Sequence, residues 1–477
     1  MNKQSALGPS LSRRFPRAWL IATMITICFI GGAIGTWLSL RTNNATPVNA
    51  QQASASEQII IDASQLPPEV IGPLKQALSA DPQFATATYS TTESADISFG
   101  RLSDTSMALS LPGQVNSDFA KTGQLIPANE RYAIELKSTA AQGYKERLLA
   151  ALATKFELSD PAKTWTYLAV GDVIPARDVY TISKRAGYTY PYLKISERTT
   201  KPDLTVTNLE TTIADGQVYG EGAGMMRFTA PARAIDGLRL AGIDGVNLAN
   251  NHAMNGGGTK TAEMLSLLDS AGIGHFGVAR RNEPISWTTT VKGLKITHLS
   301  FNTVPGSIDP TTASPGASRI PLKPWGTLSR SSVSEVQTAI QTAKQASDVV
   351  IPWFQWGTEY THQANDEQRR LGQAAIDAGA DVVVGTHPHW TQGVESYKGR
   401  LIAYSLGNFV FDQNWSEKTK QSTALSLTFS GNRIIAASLE PAVIENQVQP
   451  RWLAPNEALY TSILEDVASH SWLSPTP

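Results

Sequence analysis

The sequence is nearly without cysteine: Cys28 is the single one among 477 residues. No disulfide within the chain and no thiolate metal site can therefore form. Cys28 lies in an apolar run and reads as a small apolar residue of a helix. The chain also lacks an excess of charge of either sign. Its formal net charge is -1 at pH 7, which removes any global electrostatic case for binding nucleic acid. Histidine is scarce, at 7 residues, and His275, His298, His362 and His470 stand isolated as structural or solvated side chains. Stability must come from an ordinary apolar core, which a chain of this length can bury.

Long apolar runs are rare too, and the one that stands out is informative. Ala18 to Leu40 carries no charge and is long enough to cross a bilayer core of ~30 Å as a helix. Arg13, Arg14 and Arg17 precede it and only Arg41 closely follows. That asymmetry places the N-terminal side in the cytoplasm and the remainder outside. Trp19 and Trp37 lie near the two ends, where indole rings favour the interface. The expectation is a single-pass protein of the cell membrane, with 1–17 a cytoplasmic tail, 18–40 the transmembrane anchor and 41–57 a flexible linker. A cleaved signal peptide is the alternative, since Val48-Asn49-Ala50 has the small residues of a cleavage site. The apolar run exceeds the ~7–15 residues of a signal core, however, and Ala50 lies far beyond it. A lipoprotein fits poorly, because Met24 to Ile27 makes a weak signal before Cys28.

From residue 58 the pattern changes. Ile59-Ile60-Ile61, Phe84 to Tyr89, Ala95 to Phe99 and Tyr132 to Leu136 read as strands, and Pro67 to Ala80 as a helix. Residues 58–160 are therefore expected to form a small α/β domain. No site chemistry is visible there. Residues 161–445 repeat a different rhythm, in which apolar strands end in polar, glycine- or histidine-containing turns. Trp165 to Val170 ends at Gly171-Asp172, Leu204 to Thr207 at Asn208-Leu209-Glu210, and Gly245 to Leu248 at Asn250-Asn251-His252. Val349 to Phe354 ends at Gln355-Trp356-Gly357, Asp381 to Val384 at Gly385-Thr386-His387-Pro388-His389, and Leu401 to Ser405 at Gly407-Asn408-Phe409. Helices fit between them at Pro231 to Ala241, Thr259 to Ala271, Ser331 to Ala346 and Asp366 to Ala378. In α/β folds ligands bind at the carboxyl ends of strands, where these polar residues gather. Residues 446–477 read as a C-terminal tail.

Any one of Asp172, Glu210, Asn251, His387 and His389 is most simply a turn former. Five at successive strand ends are harder to explain that way. Pro388 stiffens the backbone between two imidazoles that can then point at one centre. Carboxylates, an asparagine carbonyl and neutral imidazoles suit Mn²⁺, Zn²⁺ or Fe better than Ca²⁺.

The ordered motifs GDVIPARD (171–178), NLETTIA (208–214), NLANNHAMNGGG (247–258), QWGTEY (355–360), GTHPHWTQGVE (385–395) and YSLGNFVFDQ (404–413) resemble those of the capsule synthesis CapA family. The resemblance spans roughly Thr164 to Glu445. It implies an α/β fold of the calcineurin-like metallophosphoesterase sandwich type and a role linked to poly-γ-glutamate synthesis and export. Carried onto matching positions, it implies two divalent metal ions: Asp172 and His389 on one, Asn251 and His387 on the other, and Glu210 bridging. His252 would be the proton donor to a leaving group, a bridging water the nucleophile, and Arg177 a clamp for an anionic oxygen. Three departures weaken the ligand set. Ile174 replaces a metal-binding histidine of the wider phosphoesterases. Gln355, a weaker ligand than imidazole, stands where histidine is frequent, and is expected at the cleft edge with Glu359 behind it. Asn255 stands where aspartate is common. Two readings follow: a metal-dependent hydrolase of phosphoester or amide bonds in capsule biosynthesis, or a non-catalytic accessory subunit. The partners implied are an anionic cell-envelope polymer such as poly-γ-glutamate and membrane synthase or export subunits.

Overall fold

The run that begins at Thr164 is a strand because its side chains alternate between two buried faces. Trp165, Tyr167 and Ala169 enter one apolar core, and Leu168 and Val170 enter another. A strand covered on both sides reads as a near-continuous apolar run. The computed structural model describes residues 59–473, apart from 91–94, 102–106, 111–118, 127–131, 138–144, 153–154, 218, 220–227, 305–315 and 318–329. In it this strand, Thr164–Val173, lies within a nine-stranded sheet. The main path runs Gly274–Phe276, Gly245–Asn247, Leu204–Leu209, Thr164–Val173, Gln421–Ser430, Arg433–Glu445 and Gln449–Trp452. Asn408–Val410 also pairs with Thr164–Val173, and Gln124–Ile126 with Arg433–Glu445. A six-stranded sheet runs Trp287–Val291, Leu294–Asn302, Val349–Gln355, Val382–Thr386, Arg400–Ala403 and Val394–Tyr397.

The chain is therefore α/β and rich in sheet, and its two large sheets share a core. Trp165, Tyr167, Val206, Leu427 and Phe429 of the first meet Ile351, Trp353, Val382 and Val384 of the second. Trp165 stacks on Phe429 with centroids 4.2 Å apart, a contact contributing ~0.5–1.5 kcal/mol beyond its buried area. Helices cover both outer faces. Leu238, Met264, Leu265 and Leu268 pack on the nine-stranded sheet, and Val336, Ile340, Leu371 and Ala375 on the six-stranded one. The helix Asp366–Asp377 starts where sequence chemistry dictates: Asn365 and Gln368 cap each other's backbone N–H groups in a capping box.

Residues 60–159 include a separate six-stranded sheet, in the order Thr88–Tyr89, Ile60–Asp62, Ile97–Arg101, Tyr132–Leu136, Met107–Ser110 and Glu157–Ser159. Helices Pro68–Ser79 and Lys145–Leu152 supply Leu74, Leu78, Leu148 and Leu152 to its core. The Gln124–Ile126 strand leaves this region and pairs with Arg433–Glu445 instead. Beyond Glu445 the chain is not a bare tail. Gln449–Trp452 adds a strand to the large sheet, and Ala458–Ser469 is a helix that buries Ile463, Leu464 and Val467 in the core between the sheets. The expected tail, anchor and linker at 1–57 lie outside the described residues. Among those described, no helix is long and apolar enough to cross a membrane.

Candidate metal centre

Strand register assembles the site before any side chain is considered. Across the nine-stranded sheet Asn408 pairs with Asp172, Asp172 with Asn208, and Asn208 with Asn247. Across the six-stranded sheet Asn302 pairs with Gln355, and Gln355 with Thr386. Each set is a row of polar residues at the carboxyl ends of parallel strands, except Asn408, which opens its own strand. The two rows touch where Asn208 Nδ2 donates to Gln355 Oε1 at 3.2 Å. Close backbone approach makes this assembly possible. A Cβ on Gly171 would stand 2.0 Å from the Gly407 carbonyl oxygen, and one on Gly385 2.1 Å from that of Tyr404. Three site residues hold left-handed backbone: Arg177 at φ 50°, His387 at 95° and His389 at 59°. Such conformations cost ~1–3 kcal/mol each and persist where the surroundings over-determine them.

Asp172 and Glu210 are buried, 1% and 0% exposed. Asn208 Nδ2 donates to Asp172 Oδ1 at 2.9 Å and to Glu210 Oε1 at 3.0 Å. The other oxygens, Asp172 Oδ2 and Glu210 Oε2, are buried without a hydrogen-bond partner. His389 Nδ1 lies 3.4 Å from Asp172 Oδ2. Ligand atoms of Asp172, Glu210 and His389 fall within 4.8 Å of one another, as do those of Glu359, His387 and His389. Buried orphan carboxylate oxygens are costly, and a divalent cation is the chemistry that relieves them. The residues present therefore fit a cation. Burial and the charge of Asp172 push Glu210 up to about 7, offset in part by His389 and the amides of Gln355 and Asn208. Burial opposes a charge on His389, but the Asp172 carboxylate, Glu210 and the Asn408 carbonyl outweigh it and raise the ring to about 9. Without a cation, His389 supplies the positive charge.

Asn408 sets the orientation of that ring. Its Nδ2 donates to the Thr419 carbonyl at 2.9 Å, so its Oδ1 must accept the 2.9 Å bond from His389 Nδ1. The lone pair of neutral His389 is then on Nε2, which lies 4.0 Å from Glu359 Oε1. A ring held this way by an outer partner is the usual arrangement of a metal-binding histidine.

His252 is held similarly, with a different consequence. The Phe228 backbone N–H donates to Asn255 Oδ1 at 2.8 Å, so that oxygen accepts from His252 Nδ1 at 3.0 Å. The ring stacks on Phe228, centroids 3.8 Å apart. Burial, aided by the charges of His389 and Arg177, pushes His252 down to about 4 against the Asn255 bond. His252 is thus neutral near pH 7 with its lone pair on Nε2: an acceptor at rest, where a proton donor was expected. Arg177 is not poised as an open clamp either. Its guanidinium binds the Asp412 carboxylate through Nε at 3.1 Å and through Nη2, and lies 4.7 Å over the Phe228 ring.

Gln355 and Glu359 exchange their expected places. Gln355 is fully buried at the centre, its Nε2 donating to Glu210 Oε1 at 2.6 Å and Asn251 Oδ1 at 2.9 Å, and lying 3.4 Å from His387 Nδ1. Glu359 is at the rim with its side chain 42% exposed. His387 is buried and pushed down to about 3 by that burial, with the charges of His389 and His252 adding to it. The structure thus brings Asp172, Glu210, Asn251, Gln355, His387 and His389 into one network, with His252 and Arg177 beside it. Asn208, Asn408 and Thr386 hold the network, yet sequence reasoning gave them no role. Their position at strand ends was the available signal.

A sheet-rich α/β chain with polar residues converging at strand ends, around buried carboxylate oxygens without hydrogen-bond partners, defines a class: α/β proteins with a polar cleft at the sheet ends whose residues could hold a metal ion. Residues 166–413 match the family described as bacterial capsule synthesis protein PGA_cap, and the chain belongs to that family. The capsule biosynthesis protein CapA of Bacillus anthracis is 29% identical over 286 residues, 59% of this chain and 67% of that protein. The PGA biosynthesis protein CapA of Bacillus subtilis (strain 168) is 30% identical over 269 residues, 55% of this chain and 67% of that one. A probable polyglutamine synthesis accessory protein of Mycobacterium tuberculosis is 26% identical over 222 residues, 45% of this chain and 57% of the other.

Proposed function

We propose that this chain acts in the synthesis or export of an anionic cell-envelope polymer of the poly-γ-glutamate class, with a metal-dependent hydrolytic site. In this reading residues 18–40 anchor it in the membrane and the site faces outward. Family membership and the CapA relatives support the polymer context. The paired sheets support likeness to the calcineurin-type sandwich. One observation carries the metal reading: Asp172 Oδ2 and Glu210 Oε2 are buried without hydrogen-bond partners, and the nearest charge, His389 Nδ1, is 3.4 Å from Asp172 Oδ2.

Asp172, Glu210 and His389 would hold the cation, whose chemistry is to lower the pKa of bound water and polarise the scissile group. The chain's own groups do the rest. His252 Nε2 accepts a proton near the centre and can return it once protonated; burial keeps that proton weakly held. The stacked Phe228 fixes the ring and keeps water from its face. Asp412 restrains Arg177, so its positive charge stays beside His252.

Metal analysis of the purified exterior part, with turnover screens on phosphoester and γ-glutamyl substrates, tests the reading. His252→Ala is expected to lose ~10²–10⁴-fold in rate with metal content near normal. His387→Ala is expected to lower rate by disturbing the Gln355 network. Normal polymer export by cells carrying either folded variant would reject catalysis. It would favour the accessory-subunit reading, which the engagement of Arg177 by Asp412 also supports.

A further inference from the structure

The residues assigned by resemblance to a second metal already have an occupant. Glu210, Asn251 and His387 converge on the side-chain nitrogen of Gln355, at 2.6, 2.9 and 3.4 Å. Two amide hydrogens face acceptors that would otherwise face a cation. The amide's orientation is fixed from its other end. Gln355 Oε1 accepts from Thr386 Oγ1 at 2.6 Å and from Asn208 Nδ2 at 3.2 Å. Asn208 cannot reverse in turn, because its Oδ1 accepts from the amides of Asn247 and Asn250 at 3.0 and 3.1 Å. Turning Gln355 to offer its oxygen to a metal would set its NH₂ against the NH₂ of Asn208. Two donors would then face each other in a fully buried place.

We propose that the Gln355 amide takes the place of a second cation, so that the centre holds a single divalent ion on the Asp172, Glu210 and His389 side. The two halves of the site then differ in kind. On one side two carboxylate oxygens lack partners. On the other, an amide supplies the hydrogen bonds. The sharing of Glu210 between them explains why one of its oxygens is bonded and the other is not. Substrate would meet one cation and a wall of fixed dipoles.

This proposal rests on the metal reading above, and the test separates the two. The purified full-length protein is loaded with Mn²⁺ and its bound metal is counted by mass spectrometry and calorimetric titration. Electron paramagnetic resonance then distinguishes an isolated ion from an exchange-coupled pair. The wild type is expected to bind one ion, with an isolated-ion spectrum. Gln355→His, which substitutes a metal ligand for the amide, is expected to bind two and show coupling. Gln355→Glu serves if the histidine variant does not fold. It keeps an oxygen for Thr386 and Asn208 but faces Glu210 with a like charge, so its thermal midpoint should rise on adding Mn²⁺ by more than that of the wild type. Two coupled ions in the wild type, or one ion in folded Gln355→His and Gln355→Glu alike, would overturn the proposal while leaving the metal reading intact. No bound ion in the wild type would overturn both.

Discussion

The two polar rows of the site stand at equivalent strand ends and are solved differently. On the nine-stranded sheet Asp172 and Glu210 are buried, each with one oxygen hydrogen-bonded and one left without a hydrogen-bond partner. On the six-stranded sheet Gln355 and Thr386 satisfy each other and their neighbours. The first row carries charge that only a cation or a protonated histidine can balance. The second row carries none. Equivalent placement in a fold therefore does not give equivalent chemistry; the side-chain type decides whether a strand end needs a ligand or supplies its own partners.

The strongest way to break this contrast is to remove charge from the first row. Glu210→Gln is expected to lower Mn²⁺ affinity more than the ~10–100-fold typical of outer-partner changes, read by calorimetry. The same change should stabilise the metal-free protein. Glu210 is raised to about 7 in the fold, above its ordinary range, so the fold favours its protonated form and loses stability as pH rises toward and through about 7. Glutamine removes that loss, so the stability of metal-free Glu210→Gln relative to the wild type should rise between about pH 4 and about pH 8. Denaturant titration at the two pH values checks this.

The pH dependence of metal binding comes next. In the metal-free centre His389 keeps its proton up to about 9 and Glu210 up to about 7, and a cation must displace both. Affinity should therefore rise by about 100-fold or more between about pH 6 and 9. Titrations in buffers of different ionisation enthalpy should also show proton release. A flat profile would mean that neither group binds the ion.

Smaller effects distinguish support from ligation. Asn408→Ala frees the His389 ring and should cost ~10–100-fold in metal affinity, with the count of bound ions unchanged. Glu359→Gln should cost less than about tenfold, because a carboxylate that remains 42% exposed is already well solvated. A larger loss would move the ion toward the Glu359, His387 and His389 group instead.

Much of this was legible in the sequence. Apolar runs ending at Gly171-Asp172, Asn208-Leu209-Glu210 and Gly385-Thr386-His387 disclosed both the strands and where their polar ends would meet. What escaped was geometry between distant segments. Asp412 lies 235 positions from Arg177, and no local pattern announces that pairing. The central place of Gln355 follows from contacts to Asn208, 147 positions away. Left-handed backbone at His387 and His389 is imposed by tertiary packing, since even histidine, which visits this region more often than most residues, adopts it only uncommonly. The Gln421–Ser430 and Arg433–Glu445 hairpin is of the kind a sequence displays, through its alternation and the Gly431-Asn432 turn. The helix Ala458–Ser469 lies where a tail is expected, beyond the last motif, yet its apolar face completes the core.

The central claim is that the unpaired oxygens of Asp172 and Glu210, with His389, hold a divalent cation. A crystal of the protein grown with Mn²⁺, measured across the manganese absorption edge, tests it most directly. The account predicts an anomalous peak within bonding distance of Asp172, Glu210 and His389, lost in Glu210→Gln. A map with no peak there, and both carboxylate oxygens bonded to water instead, would contradict it.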